Sequence, residues 1–178
     1  MTHAEIEEFI TQFPLYQYAF VRPEDVTFDD STRLYCKQEC PKYGSSWSCP
    51  PAIGKIPQCK GRCHEYTDVL FFSSVTEVSD ITNPEEKKKT KATHEKMTRI
   101  IEDFMRENGL LIYTLSSDTC STCTKCGFPK EKCRHPESMH PCIESHGIVA
   151  ADLAELCSMD YYMGENLLLW FTIIFYRQ

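Results

Sequence analysis

No stretch of this 178-residue sequence is long enough to cross a bilayer as a helix. Its longest apolar run, Leu167 to Tyr176 broken only by Thr172, is ten residues, about half of what a span requires. The opening Met1-Thr-His-Ala-Glu-Ile-Glu-Glu8 lacks the basic and apolar regions of a secretory signal. Positive charge is in deficit, with 19 Lys and Arg against 26 Asp and Glu and a formal net charge of −7. That balance argues against non-specific binding to nucleic acid or an anionic membrane, and suits docking onto a basic partner. The common catalytic signatures are missing too. There is no G-x-S-x-G elbow, Walker loop, G-x-G-x-x-G or H-E-x-x-H. A lone C-x3-C-x2-C radical-enzyme loop is also absent.

Cysteine is abundant instead, at 11 residues. The count is odd, the residues cluster tightly, and nothing points to an oxidising compartment, so the sequence reads as cytoplasmic and metal-binding rather than disulfide-framed. The run Cys120-x2-Cys123-x2-Cys126-x6-Cys133 is the most specific feature. Three thiols at successive C-x2-C steps, with a fourth after Gly127 and Pro129, suit one cubane iron–sulfur cluster. A zinc site usually draws two ligands from each of two separate knuckles. Zinc and redox thiols are the alternatives.

Along the chain, Thr2-x2-Glu5 is a capping box, followed by Ile6, Phe9 and Ile10 at helical spacing. Residues 15–21 read as a strand and 22–35 as loop and turn. Val69 to Val75 is a second strand. Asn83-Pro84-Glu85-Glu86 starts a helix with an apolar stripe of Met97, Ile100, Ile101, Phe104 and Met105, ended by Asn108-Gly109. Lys87, Lys88, Lys89 and Lys91 read as its solvated face. Leu110 to Leu115 is a third strand, delivering the chain to the Cys120 loop. A helix over 148–159 would carry Val149, Leu153, Leu156 and Cys157 on one face, and Leu167 to Tyr176 forms an internal last strand. The whole, residues 1–178, reads as one α+β domain (an α/β sandwich). It has a four- to five-stranded sheet, amphipathic helices and two cysteine-rich metal-binding loops, 36–63 and 120–142.

The first of these loops contains Cys36-x3-Cys40-Pro-Lys-Tyr-Gly-Ser-Ser-Trp-Ser-Cys49-Pro-Pro51 and then Cys59-x3-Cys63. Cys36, Cys40 and Cys49 can share one centre, with Cys59 or Cys63 completing it. The Cys59-x3-Cys63 spacing also fits successive turns of a short helix, with one ligand and one spectator. Tyr43 and Trp47 are placed to exclude water, and desolvation tunes a cluster's potential. A zinc staple is the alternative here as well.

Taken together, the Cys36–Pro51 segment, the Cys120 loop, Cys133-Arg-His-Pro136 and Ser138-Met-His-Pro-Cys142-Ile-Glu-Ser-His-Gly147 resemble a cysteine-rich family of bacterial and archaeal "predicted metal-binding" proteins of unknown function. The resemblance implies metal, in the form of an iron–sulfur cluster, but no reaction. The Cys120 loop is also similar to ferredoxin cluster loops. It departs from their C-x2-C-x2-C-x3-C-Pro pattern by its six-residue gap and by Arg134 after Cys133, which favours a single-cluster loop.

Several further residues invite roles. Cys142 reads as an alternative fourth ligand, a packing thiol or a reactive thiol, and Cys157 as a core thiol. His135, His140 and His146 are either polar surface-loop residues or groups acting near the metal. Arg134 is placed to offset cluster charge or to hold an anionic substrate, and Glu144 is a candidate base. The expected function is a cytoplasmic iron–sulfur protein with one or two [4Fe–4S] clusters, transferring electrons to a redox partner protein. The alternatives are a cluster-dependent enzyme with an open iron acting on a small-molecule substrate, and a zinc-stapled interaction module. If the second and third strands lie antiparallel, both cysteine segments fall at one end of the sheet.

Overall fold

A computed structural model describes all residues, Met1–Gln178. Five helices and four strands alternate in the order α1 (His3–Ile10), β1 (Gln17–Val21), α2 (Asp30–Gln38), α3 (Ile56–Cys63), β2 (Asp68–Glu77), α4 (Pro84–Glu107), β3 (Leu111–Ser116), α5 (Ala150–Leu156) and β4 (Leu167–Arg177). The strands form one sheet in the order β1-β2-β4-β3, with every neighbouring pair antiparallel. This is the α+β class expected from the sequence.

The apolar run of β4 is continuous because both of its faces are covered. Side chains alternate across a strand, so Val69, Phe71, Ile173 and Phe175 join one core with Leu115, Ile143, Ile148 and Leu153. Leu70, Phe72 and Ile174 join the other, with Ile6, Ile10, Met97, Ile101 and Met105. Helices α1 and α4 cover the second face. The first carries α5 and the cysteine-rich segments, whose Cys63 is part of its core. β4 lies between β2 and β3 and is internal, as its composition required.

Local signals set the helix ends. Glu5 N–H donates to Thr2 Oγ1 at 3.3 Å and Thr2 N–H to Glu5 Oε2 at 2.7 Å, closing the capping box of α1. Asn83 Oδ1 accepts from the N–H of Glu85 and Glu86 at the start of α4, and Gly109, at φ +81°, turns the chain out of it. The buried face of α4 is rotated from the expected stripe. Ile100 is exposed, whereas Thr90, Lys91, His94, Thr98 and Glu102 are buried. Lys87, Lys88 and Lys89 are solvated, but Lys91 is only 5% exposed.

Other expectations are corrected. Residues 30–38 and 56–63, read as irregular, are helices. α2 has an Asp29 cap, whose side chain accepts from Ser31 N–H at 2.6 Å, but it buries only Cys36 and so has no apolar stripe to detect. α3 buries Cys59 and Cys63 one turn apart, the helical option for that spacing. α5 is shorter than 148–159, and its Leu156 is exposed with Cys157 half-buried at its end. β2 and β3 are both antiparallel to β4 and therefore run in the same direction, not opposite ones. β2 begins opposite Tyr176 and β3 stops opposite Thr172. No helix is long and apolar enough to cross a membrane.

His94 is the polar pin between α4 and the sheet. Its Nδ1 meets Ser74 Oγ at 2.7 Å and its Nε2 meets Thr172 Oγ1 at 2.8 Å. Burial, with help from Lys91, lowers its pKa to about 4. This lies below the ordinary value near 6.5, so the unfolded chain binds the extra proton. The neutral imidazole's contribution is whole above pH 6.5 and is lost as pH falls toward 4, by on the order of 3 kcal/mol. Urea unfolding at pH 7 and pH 4.5 should therefore show a larger acid loss for the native protein than for His94→Gln. Equal losses would contradict this assignment.

Candidate metal centre

Chain geometry after β3 makes the second cysteine segment a closed loop. Ser116 N–H donates to Pro141 O at 3.0 Å, and Ile143 N–H returns to Ser116 O at 3.1 Å. Residues 117–141 thus leave the sheet edge and come back to the same point, where Ser116 bridges to Cys142. Within the loop, Glu131 N–H closes onto Gly127 O at 2.8 Å and Arg134 donates to Lys125 O. Cys120, Cys123, Cys126 and Cys133 are all free thiols of intermediate exposure.

The first segment is folded on itself by short turns. Tyr43 N–H bonds Cys40 O at 3.1 Å, Gly44 N–H bonds Pro50 O at 2.9 Å, and Ala52 N–H bonds Cys49 O at 3.0 Å. Cys36, on the last turn of α2, and Cys49 are buried, while Cys40 is partly exposed. Burial first, then the neighbouring Cys40 and Glu144, raise the Cys36 pKa to about 11. Burial raises Cys63 to about 12. Burial and the Glu144 carboxylate, which accepts from Cys142 Sγ at 2.8 Å, push Cys142 well above its usual range. Cys142 N–H donates to Ser48 O at 3.2 Å, which sets Cys142 beside Cys49 rather than beside Cys133 alone.

The two segments touch. Cys120 N–H donates to Ser48 Oγ at 2.9 Å. The hydroxyls of Ser46, Ser48 and Thr119 are mutually 2.8 Å apart, and Thr119 Oγ1 is 3.0 Å from Cys49 Sγ. Lys42 Nζ pairs with Asp118 at 2.6 Å. Trp47 Nε1–H donates to Glu131 O at 3.0 Å, and its ring meets Phe128 edge-on at 5.0 Å. The segments therefore meet even though β2 and β3 are parallel in direction. The first segment folds back over the end of β3 instead of staying at the start of β2.

The charge pattern here was not legible in the sequence. Arg33 donates to Gly54 O at 2.9 Å and Ser145 O at 2.5 Å, and its Nη2 lies 3.7 Å from Cys59 Sγ. Arg62 donates to Ile53 O at 2.7 Å and approaches the same sulfur at 3.2 Å. Lys91 donates to Thr119 O, immediately before Cys120. None of these three cations lies within ion-pair distance of a carboxylate, although nine ion pairs occur elsewhere; Glu95 is the acid in Coulombic reach of Lys91. Arg33 Nε is buried without any partner. Arg33 and Arg62 are half-buried, and a partly desolvated cation without counter-charge is costly. Thiolates bound to a metal or cluster would supply negative charge where these cations lack it, so the residues present fit such a group. The cysteine, histidine and acidic side chains are not gathered in threes tightly enough to hold a metal ion in this arrangement.

The histidines divide. His135 is exposed. His146 is buried, with Nε2 2.6 Å from Tyr113 Oη, and burial lowers it to about 3. His140 lies between Glu95 Oε2 at 2.7 Å and Glu102 Oε2 at 3.0 Å. Burial alone would lower its pKa, but the two carboxylates outweigh that and raise it to about 9. Neither Glu95 nor Glu102 stood out in the sequence, because both sit within a charged stretch of α4. His140 and Glu102 line a cleft of about 1000 Å³, with Trp47, Ile53, Arg62, Arg99, Tyr113 and Cys133 among its other lining residues. Arg134 is held by the loop's own backbone and is not among the cleft's lining residues.

No curated protein and no solved structure matches the chain. A family model described as predicted metal-binding protein (DUF2284) matches residues 19–176, from β1 to the end of β4, and takes in both cysteine segments. With that match across nearly the whole fold, the chain belongs to the DUF2284 family of predicted metal-binding proteins.

Proposed function

We propose that this is a cytoplasmic iron–sulfur protein that carries two [4Fe–4S] clusters and transfers electrons to a partner protein. The observation that carries the reading is the convergence of Arg33 and Arg62 on the sulfur of Cys59 with no carboxylate within ion-pair distance of either, together with the Lys91 bond to the residue before Cys120. Spacing separates iron–sulfur from zinc: Cys120, Cys123, Cys126 and Cys133 suit one cubane from a single loop. Cys36, Cys40 and Cys49 would hold the second cluster. Three cysteines are candidates for its fourth ligand: Cys142, tied by its backbone next to Cys49, Cys59, the sulfur that Arg33 and Arg62 approach, and Cys63. Such clusters, when bound, take up and release single electrons. The chain's own contribution is to exclude water with Trp47 and Phe128 and to supply positive charge at the sulfurs, levers that set a cluster's potential. Eleven free thiols suit a reducing compartment.

A second reading is favoured by one observation: Cys133 lines the large cleft. A centre at that cysteine would face a pocket able to hold a small substrate, as a cluster-dependent enzyme requires.

Two measurements follow. Protein isolated without oxygen should be brown, with about eight iron and about eight sulfide per chain. Stoichiometric zinc with no iron would contradict the proposal in favour of a zinc-stapled module. In addition, Cys123→Ser should lose about half of the iron by removing one cluster, while Cys157→Ser, half-buried at the end of α5, should lose none. Equal iron loss in the two variants would overturn the ligand assignment.

A further inference from the structure

We propose that the cleft between α4, β3 and the second cysteine loop binds a small organic anion, an apolar body carrying a carboxylate or phosphate group. The inference extends the enzyme reading above, but its charge argument does not require a cluster at Cys133. The cleft's volume, about 1000 Å³, is at the upper end of ordinary ligand pockets. Ile53, Ile112, Met139 and the Trp47 ring give it apolar walls.

Its charges are unevenly spent. Glu102 is the most buried acid of the lining, and its oxygens are already engaged: Oε1 by Thr114 at 2.5 Å and Arg106 at 3.1 Å, Oε2 by His140 at 3.0 Å. Arg106 is likewise satisfied, by Glu102 and by Asp103 at 3.6 Å. Asp103 and Glu137, the other acids of the lining, are both 70% exposed and point their charge to solvent. Three cations remain. Arg62 has no carboxylate within ion-pair distance; its bonds to Ile53 O and Cys59 Sγ both come from Nη2 and Tyr113 is its other neighbour, so its guanidinium, with five N–H groups, keeps donors for a ligand. Lys132 has no ion pair, and the nearest carboxylate to Arg99 is Glu95 at 3.9 Å. In a protein of net charge −7, a cleft whose one buried acid, Glu102, is internally neutralised while Arg62 and Lys132 have no carboxylate and Arg99 only a distant one is a local trap for anions. Guanidinium groups recognise carboxylate and phosphate by paired N–H donors.

The test uses anaerobically purified full-length protein, with iron and sulfide determined on every sample. Phenylpyruvate, phenyl phosphate and neutral phenylacetamide are titrated, and binding is followed by ligand-observed NMR and calorimetry. At least one of the two anions should bind, at least about tenfold more tightly than phenylacetamide, and the better one identifies the head group. Arg62→Gln and Arg99→Gln should each weaken that binding about tenfold or more. Arg99 is half-buried and more exposed than the core of α4, so its variant tests the site even if Arg62→Gln does not fold. Three outcomes would overturn the proposal: neither anion binds, phenylacetamide binds equally well, or folded Arg99→Gln binds as tightly as the native protein. Anion binding by protein that lacks iron would instead leave the cleft standing and remove only the cluster reading.

Discussion

A cation drawn partly out of water and away from carboxylates has to find its negative charge elsewhere, and beside Arg33 and Arg62 the nearby source is the sulfur of Cys59. Arg33 and Arg62 converge on Cys59 from two helices, α2 and α3. Lys91 reaches from the buried face of α4 to the residue before Cys120. Arg33 ties α2 to the turn before α3 and to the chain after Cys142, and Lys91 ties α4 to the second segment. Replacing such a cation by a neutral residue would leave carbonyl groups and sulfurs unmatched, which makes the positive charge part of how the segments are held. The thiols show the complementary strain. Cys36, Cys63 and Cys142 all have raised pKa values because burial and neighbouring anions disfavour bare thiolates. Metal ligation is the chemistry that lets a buried thiol give up its proton.

The sheet makes this arrangement possible by being covered differently on its two faces. α1 and α4 form an ordinary apolar layer on one side, pinned by His94. On the other side α3 and α5 share the cover with irregular chain, which must satisfy its own backbone polar groups. It does so at one junction. Ser116 at the end of β3, Cys142 at the return of the second loop and Ser48 of the first segment are linked by backbone bonds, and Ser48 Oγ then takes Cys120 N–H. The cleft opens beside this junction, so one wall carries a cysteine of the second segment and another carries Arg62 from α3.

Much of the fold was legible because its signals are periodic. Alternation and apolar content marked all four strands, and the Thr2–Glu5 box and Asn83-Pro84 marked two helix starts. α2 escaped because a helix that buries one side chain has no stripe. Lys91 was misread because a lysine within a run of lysines looks solvated, and only the tilt of α4 against the sheet decides otherwise. The direction of β3 relative to β2 was set by β4, which pairs with both and lies far away in sequence. At the site, spacing revealed which cysteines belong to one segment. It could not reveal Arg33, Arg62, Glu95 or Glu102, whose partners come from other elements. Cys142 shows both limits: its neighbourhood with Cys133 in sequence was visible, while its bond to Ser48 was not.

The central claim is that the two cysteine segments form a connected pair of iron–sulfur centres at the Ser48–Thr119 contact. Electron paramagnetic resonance of anaerobic, iron-replete protein, reduced with dithionite, tests it most directly. Centres held by touching segments should give signals broadened and split by mutual spin coupling. Two narrow, non-interacting signals, or a single centre accounting for all the iron, would contradict the account.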